Sequence, residues 1–169
     1  MRAVVIGNSG GGKSTLARRL SPAWKCRHVE IDNLLWQQGW QLTPVEIYTT
    51  EHARLIAEEN WIIDGLGRLD SIPDRLARAT DIVLIDMPPW VHFWLAAERH
   101  IQWRAGAIEH PPGGLAKMPP TEALFRTIWE VDRDWMPEIR RLVALEEQWG
   151  KRIFRLGSIA DLDGFESRS

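Results

Sequence analysis

Short apolar runs alternate along this chain with longer amphipathic stretches. The first run, Ala3-Val4-Val5-Ile6, breaks at once into glycine. A run of that length bounded by turn residues predicts a buried strand. Helical material follows over residues 13–20, closed by Ser21-Pro22, and a second strand is predicted over 27–31, ending at Asp32. Thr43-Pro44-Val45-Glu46 carries a helix-start signature: a hydroxyl N-cap, proline at the first helical position and glutamate at the third. That helix is expected to reach residue 59. Trp61-Ile62-Ile63 predicts a third strand ending at Asp64-Gly65, and 81–85 a fourth ending at Asp86 before Pro88-Pro89. A helix over 90–104 comes next, then a glycine- and proline-rich loop over 105–120. A long helical stretch over 121–149 carries Pro137 as a point of interruption. A fifth strand over 152–155 and a short helix capped by Ser158 complete the pattern.

Strands and helices that alternate from end to end imply right-handed crossovers and a parallel sheet covered on both faces. The expectation is a three-layer α/β fold. At 169 residues the chain fits one domain of ordinary size.

One segment carries most of the chemistry. Gly7-Asn8-Ser9-Gly10-Gly11-Gly12-Lys13-Ser14, continuing into Thr15, satisfies G-x-x-x-x-G-K-[ST] between a predicted strand and a predicted helix. Glycines let the backbone wrap a phosphate with successive N–H groups pointing inward, and the following helix N-terminus adds positive potential. Lys13 is expected to reach the β- and γ-phosphates of ATP, and the Ser14 hydroxyl to ligate Mg²⁺. A chance match in a chain of this length is on the order of 1%. A dinucleotide fingerprint does not fit, because the register from Gly10 and Gly12 places Thr15 where the third glycine belongs. None of the four lysines follows Asn or Thr, so the guanine-reading motif of GTPases is absent.

Composition narrows the classes further. With 44% hydrophobic and 26% charged residues the chain has material for a core, and disorder is not expected. A formal net charge of −2 gives no drive toward nucleic acid or anionic membranes. No apolar run has the roughly 18 residues of a membrane span, and the first stretch lacks a signal-peptide core, so a cytoplasmic protein is expected. The single cysteine, Cys26, excludes an internal disulfide, and with the five histidines it forms no metal-binding pattern. Ten tryptophans are spread along the chain, with core packing as their ordinary use.

Beyond the phosphate loop, several stretches resemble a bacterial family of P-loop kinases known as DNA topology modulation proteins, related to adenylate kinase. The matching residues are Gly7 to Leu16, Ile31-Asp32-Asn33-Leu34-Leu35-Trp36 with Gly39-Trp40, Trp61-Ile62-Ile63-Asp64-Gly65, Arg75-Leu76-Ala77-Arg78-Ala79 leading into Asp81 to Pro88, and Trp129 to Pro137. The resemblance covers nearly the whole chain. It implies an adenylate-kinase-like fold with five strands in the order 2-3-1-4-5. It further implies a nucleotide site, an acceptor-side insertion over 32–60 and a closing lid over 105–120. After Asp64-Gly65 the family commonly has Asn-Tyr. Leu66-Gly67-Arg68 is instead similar to adenylate kinase's Asp-Gly-Phe-Pro-Arg, whose arginine holds the acceptor phosphate, and this makes Arg68 a candidate for that role. The lid region has Lys117 as its one lysine or arginine, where the family is arginine-rich.

Asp32, Asp64 and Asp86 all end predicted strands on the side where α/β sheets bind ligands. Each also suits a strand-end turn or a helix cap. The resemblance to adenylate kinase favours Asp64 for the Mg²⁺ shell, with Asp86 as the other candidate, and it puts Asp32 on the acceptor side as a group that binds or deprotonates a hydroxyl. Arg99, Arg104, Arg126 and Arg133 flank the lid. Arg126 and Arg133, seven apart, share one face of a regular helix and suit a clamp on a migrating phosphoryl group; pairing with Glu122, Glu130 or Asp134 is the alternative. Trp36 and Trp40 suit either an aromatic acceptor platform or core packing, and Trp90 and Trp94 are expected in the core. The whole predicts a Mg²⁺-ATP phosphotransferase acting on a small-molecule or nucleotide acceptor, or else a regulator that hydrolyses ATP slowly. Monomer and homodimer both remain open.

Overall fold

A computed structural model describes residues 1–107 and 121–165. Five parallel strands form its centre: β1 (Arg2–Gly7), β2 (Arg27–Glu30), β5 (Trp61–Asp64), β6 (Asp81–Ile85) and β7 (Arg152–Leu156). A two-residue pair, β3 (Trp36–Gln37) and β4 (Gln41–Leu42), makes a separate antiparallel hairpin. Counted with that hairpin, the main sheet runs β2-β5-β1-β6-β7; the sequence expectation counted five strands only.

Strand alternation explains the layers. Val4 and Ile6 of β1 join Ile63, Ile82 and Leu84 on one face, packed against Tyr48, Ile72, Leu76, Ile139 and Val143. Those partners come from α3 (Val45–Ala57), α4 (Ile72–Arg78) and α7 (Met136–Gln148). Ala3 and Val5 point the other way, with Ile62, Val83 and Ile85, against Leu16, Ala17, Leu20 and Val91 of α1 (Lys13–Trp24) and α5 (Pro89–Arg104). Strands buried on both faces read as continuous apolar runs, as β1, β5 and β6 do.

Several boundaries differ from the sequence expectation. α1 runs through Ser21-Pro22 to Trp24. Proline disturbs the turn before it but lets the chain continue, and the end comes at Lys25, whose φ is +52°. Thr43 is not a cap. Its hydroxyl donates to Leu34 O at 2.7 Å, tying the hairpin to α2 (Asp32–Leu35), and Pro44 takes the N-cap position. α3 ends at Ala57 rather than at 59. The helical stretch after residue 120 is interrupted at a π-helical turn, Val131–Trp135, between α6 (Thr121–Glu130) and α7, with Pro137 in α7's first turn.

Trp90 and Trp94 are 69% and 62% exposed, not core. α5 turns Val91, His92, Ala96 and His100 inward, which leaves the opposite face to the tryptophans. A last helix, α8 (Ile159–Gly164), is capped by Ser158, which accepts from Asp161 N at 3.1 Å. Most of the lid expected over 105–120, Lys117 included, lies outside the described residues. No helix among the described residues is long and apolar enough to cross a membrane.

Candidate functional site

The site forms at the C-terminal ends of β1, β2 and β5. Gly7 ends β1, residues 8–12 make the turn, and Lys13 opens α1. Gly12 is the N-cap with φ +78°, a left-handed conformation that disfavours other residues and lets the loop turn straight into the helix. Asn8 is buried and bonds on two sides. Its Oδ1 accepts from Ser9 N at 2.7 Å, and its Nδ2 donates to Ile128 O at 2.9 Å. Ser14 is half-buried, and Thr15 is exposed.

Lys13 is 8% exposed, and its Nζ donates to Asn8 O at 2.7 Å. The ammonium thus bends back over its own loop. Burial pushes its pKa down, while Asp32 and Asp64 pull it up and Arg99 adds to the lowering. These effects place four charged groups in one electrostatic neighbourhood: the loop lysine, the aspartates after β2 and at the end of β5, and an arginine from α5.

Asp64 is 1% exposed. Its Oδ1 lies 3.4 Å from His28 Nε2 on the neighbouring strand, and its Oδ2 is buried with no hydrogen-bond partner among the described residues. An unpartnered buried carboxylate oxygen costs free energy unless something fills the gap. A carboxylate oxygen is a hard donor of the kind that suits Mg²⁺, as is the Ser14 hydroxyl. Among the described residues no group of three or more His, Cys, Asp or Glu side chains gathers to hold a metal. Asp86 is differently committed, because both of its oxygens accept from Arg140 Nε, at 2.9 and 3.2 Å.

Asp32 opens α2 and is open to solvent, with its Oδ1 accepting from Gly67 N at 3.4 Å. The protein crowded around it still desolvates the carboxyl and pushes its pKa up, against the downward pull of Lys13. Gly67 and Arg68 belong to a loop held from behind. Tyr48 hydroxyl accepts from Arg68 N at 3.2 Å and shares a hydrogen bond with Ser71 Oγ at 3.1 Å. Arg75, fully buried, donates through Nη2 to Gly65 O and Leu66 O at 3.3 and 2.8 Å. Its Nε and Nη1 have no hydrogen-bond partner among the described residues, and burial lowers its pKa. The Arg68 side chain turns to Asp70, with Nε–Oδ1 at 3.1 Å and Nη2–Oδ2 at 2.8 Å.

The arginines beside the lid separate into two groups. Arg126 donates to Glu122 at 2.6 Å, and Arg133 makes two 2.6 Å bonds to Asp134; all four side chains are exposed. Arg133 lies within the π turn and Arg126 in the α-helix before it, so the seven-residue spacing of a regular α-helix no longer aligns them. Arg99 differs. Among the described residues it makes no ion pair; it lies over the Trp103 ring at 6.0 Å and interacts with Arg18, Glu30, Asp32 and Lys13. Trp36 and Trp40, both half-buried, pack edge to face with ring centroids 5.7 Å apart.

Three residues of this neighbourhood escaped the sequence reading, His28, Tyr48 and His92, and Arg75 appeared there in a family-like stretch without a role. Each acts through a partner at least nine positions away in the chain, and no local motif marks such pairings. His92 shows it best, with Nδ1 3.0 Å from Ser9 O and 83 positions between them.

No protein-family profile matches the chain, and no curated protein matches it. Among solved structures, the crystal structure of a gluconokinase from Sinorhizobium meliloti 1021 is similar, with 18% identity over 87% of this chain and 94% of that chain and a TM-score of 0.46.

Proposed function

We propose that this chain is an adenylate-kinase-like P-loop kinase that moves the γ-phosphoryl group of Mg-ATP to a hydroxyl or phosphate of a small-molecule or nucleotide acceptor. The observation that carries this reading is the full phosphate-loop motif between β1 and α1, with the buried Asp64 carboxylate at the end of the adjacent strand β5. Phosphoryl transfer needs positioning and charge stabilisation more than covalent help, and these groups supply both.

Each residue has a part in this reading. Backbone N–H groups of residues 9–14 cradle phosphate oxygens, and Lys13 leaves Asn8 O to meet them. Ser14 and Asp64 hold the divalent cation, which when bound offsets phosphate charge. Arg99 reaches over the transferred group from α5. Asp32 faces the acceptor hydroxyl as hydrogen-bond acceptor or base, and Arg68 exchanges Asp70 for an anionic acceptor group where one is present. Gly65 to Arg68 forms the acceptor wall, kept in place by Tyr48 and Arg75.

The decisive experiment measures ADP formation from Mg-ATP across nucleoside monophosphates, nucleosides, sugars and small hydroxy acids, for the wild type, Asp32→Asn and Arg68→Ala. The reading expects an acceptor-dependent rate in the wild type. Both variants should lose acceptor efficiency by about 10- to 150-fold, as one charge-assisted hydrogen bond is worth, while binding ATP normally. Acceptor-independent hydrolysis alone would instead indicate a nucleotide-binding regulator.

A further inference from the structure

The phosphate loop has a neighbour that the motif does not specify. His92, in the first turn of α5, is 1% exposed, and its Nδ1 lies 3.0 Å from the carbonyl oxygen of Ser9. A carbonyl only accepts, so the contact is a hydrogen bond in the tautomer with the proton on Nδ1, and the Met87 backbone also interacts with the ring. Burial first, and the Lys13 charge second, push the imidazole pKa down and favour the neutral ring.

The same ring fills the space beside Gly11. A Cβ at position 11 would lie 2.7 Å from His92 Cε1 and 3.0 Å from Nδ1, closer than side chains tolerate. The motif requires glycine at positions 7 and 12 and leaves 11 free. Gly11 is not among the glycines with positive φ, so its backbone conformation does not call for glycine either. The imidazole does. On the other side of the loop, Asn8 is tied to Ile128 O of α6 at 2.9 Å. Ser9 is therefore held by the helix that precedes residues 108–120, and Asn8 by the helix that follows them.

We propose that His92 is a positioning residue of the nucleotide site: its ring fixes the Ser9–Gly11 backbone by bonding the Ser9 carbonyl and by occupying the volume a side chain at position 11 would need. The proposal rests on the reading of this loop as a nucleoside triphosphate site. An imidazole wedged behind the loop keeps the amides of residues 9–12 aimed at phosphate before any ligand arrives, which lowers the ordering cost of binding.

A mutant cycle on Mg-ATP affinity, measured by calorimetry with thermal melting alongside, tests the pair. Gly11→Ala forces a methyl group against the ring and should weaken binding by about 30-fold, and His92→Ala, which removes ring and bond together, by about 10-fold. His92→Asn keeps a donor near the Nδ1 position with less bulk, and should stay within about 3-fold of wild type. The double variant Gly11→Ala/His92→Ala should stay within about 3-fold of His92→Ala alone, because the ring atoms that clashed are gone. Losses that multiply in the double variant overturn the proposal. So does a His92→Ala protein that melts lower yet binds Mg-ATP with wild-type affinity, since a purely structural histidine would behave that way. A wild type that binds no Mg-ATP overturns the nucleotide reading itself, a different result from binding with independent losses.

Discussion

His28 and Asp64 face each other across β2 and β5, with Nε2 and Oδ1 3.4 Å apart, and the second oxygen of the carboxylate is buried and, among the described residues, unpartnered. The aspartate at the end of the next strand but one is in the opposite condition. Asp86 lies 2.8 Å from Arg140 Nη2 and has both oxygens engaged. One strand-end carboxylate has an oxygen to spare for a cation, and the other is already neutralised.

Asp64→Asn should therefore reduce Mg²⁺-dependent turnover far more than Asp86→Asn. The expected effect is at least 100-fold for the first, about what losing a charged ligand costs, and under about 10-fold for the second. Turnover against Mg²⁺ concentration at saturating ATP checks this, and a larger loss in Asp86→Asn would exchange the two roles.

Lys13→Ala removes the only charged donor of the loop and should weaken Mg-ATP binding or turnover by about 10- to 150-fold. Stability should respond little or even improve, because the ammonium is buried against its own desolvation cost with one backbone carbonyl as its hydrogen-bond partner. Calorimetric ATP titration and a melting curve on the same sample separate the two effects.

Among the arginines, Arg99→Ala should lower the rate of phosphoryl transfer by about 10- to 100-fold, while Arg126→Ala and Arg133→Ala change it by less than about 3-fold. Arg99 shares its surroundings with Lys13 and Asp32, whereas the other two spend their donors on Glu122 and Asp134. Single-turnover rates for the three variants decide the matter.

His52 predicts a pH effect on stability. It is 4% exposed, stacks on Tyr48 with ring centroids 5.7 Å apart, and has an Nε2 with no hydrogen-bond partner among the described residues. Burial, assisted by the Arg75 charge, lowers its pKa from 6.5 to about 4. A folded-state pKa below the unfolded one means that the unfolded chain takes up the proton first. The contribution is complete above pH 6.5 and is lost as pH falls toward about 4, amounting to roughly 3 kcal/mol. His52→Phe should flatten that part of a denaturant-midpoint profile; an unchanged slope between pH 6.5 and 4 would show that His52 is not buried in its neutral form.

What the sequence made legible follows from range. Gly7 to Ser14 reads as a phosphate loop because its chemistry is contained in eight consecutive residues, and the strands around it read clearly because burial on both faces forces unbroken apolar runs. Arg126 and Arg133 show where that reasoning stops. Their spacing implies a shared face only on a regular helix, and nothing local announces the wide turn at 131–135. Thr43 shows a second limit: its hydroxyl suits a cap, yet the Leu34 carbonyl nine positions back claims it. Trp90 and Trp94 show a third. Size and hydrophobicity favour burial, but a helix has one inward face, and on α5 smaller residues and two histidines occupy it.

The order of the sheet leaves β2 and β7 at its two flanks, and both strands carry arginines with charged partners. Arg27 pairs with Glu58 at 3.1 Å, Arg152 with Asp81 at 2.6 Å and Arg155 with Glu147 at 2.8 Å. Open strand edges invite another chain to add on, and hydrated charged side chains resist it. The two margins are thus unreceptive to a further strand, and replacing Arg152 and Arg155 with valine would turn the β7 margin into a template for fibrous aggregation.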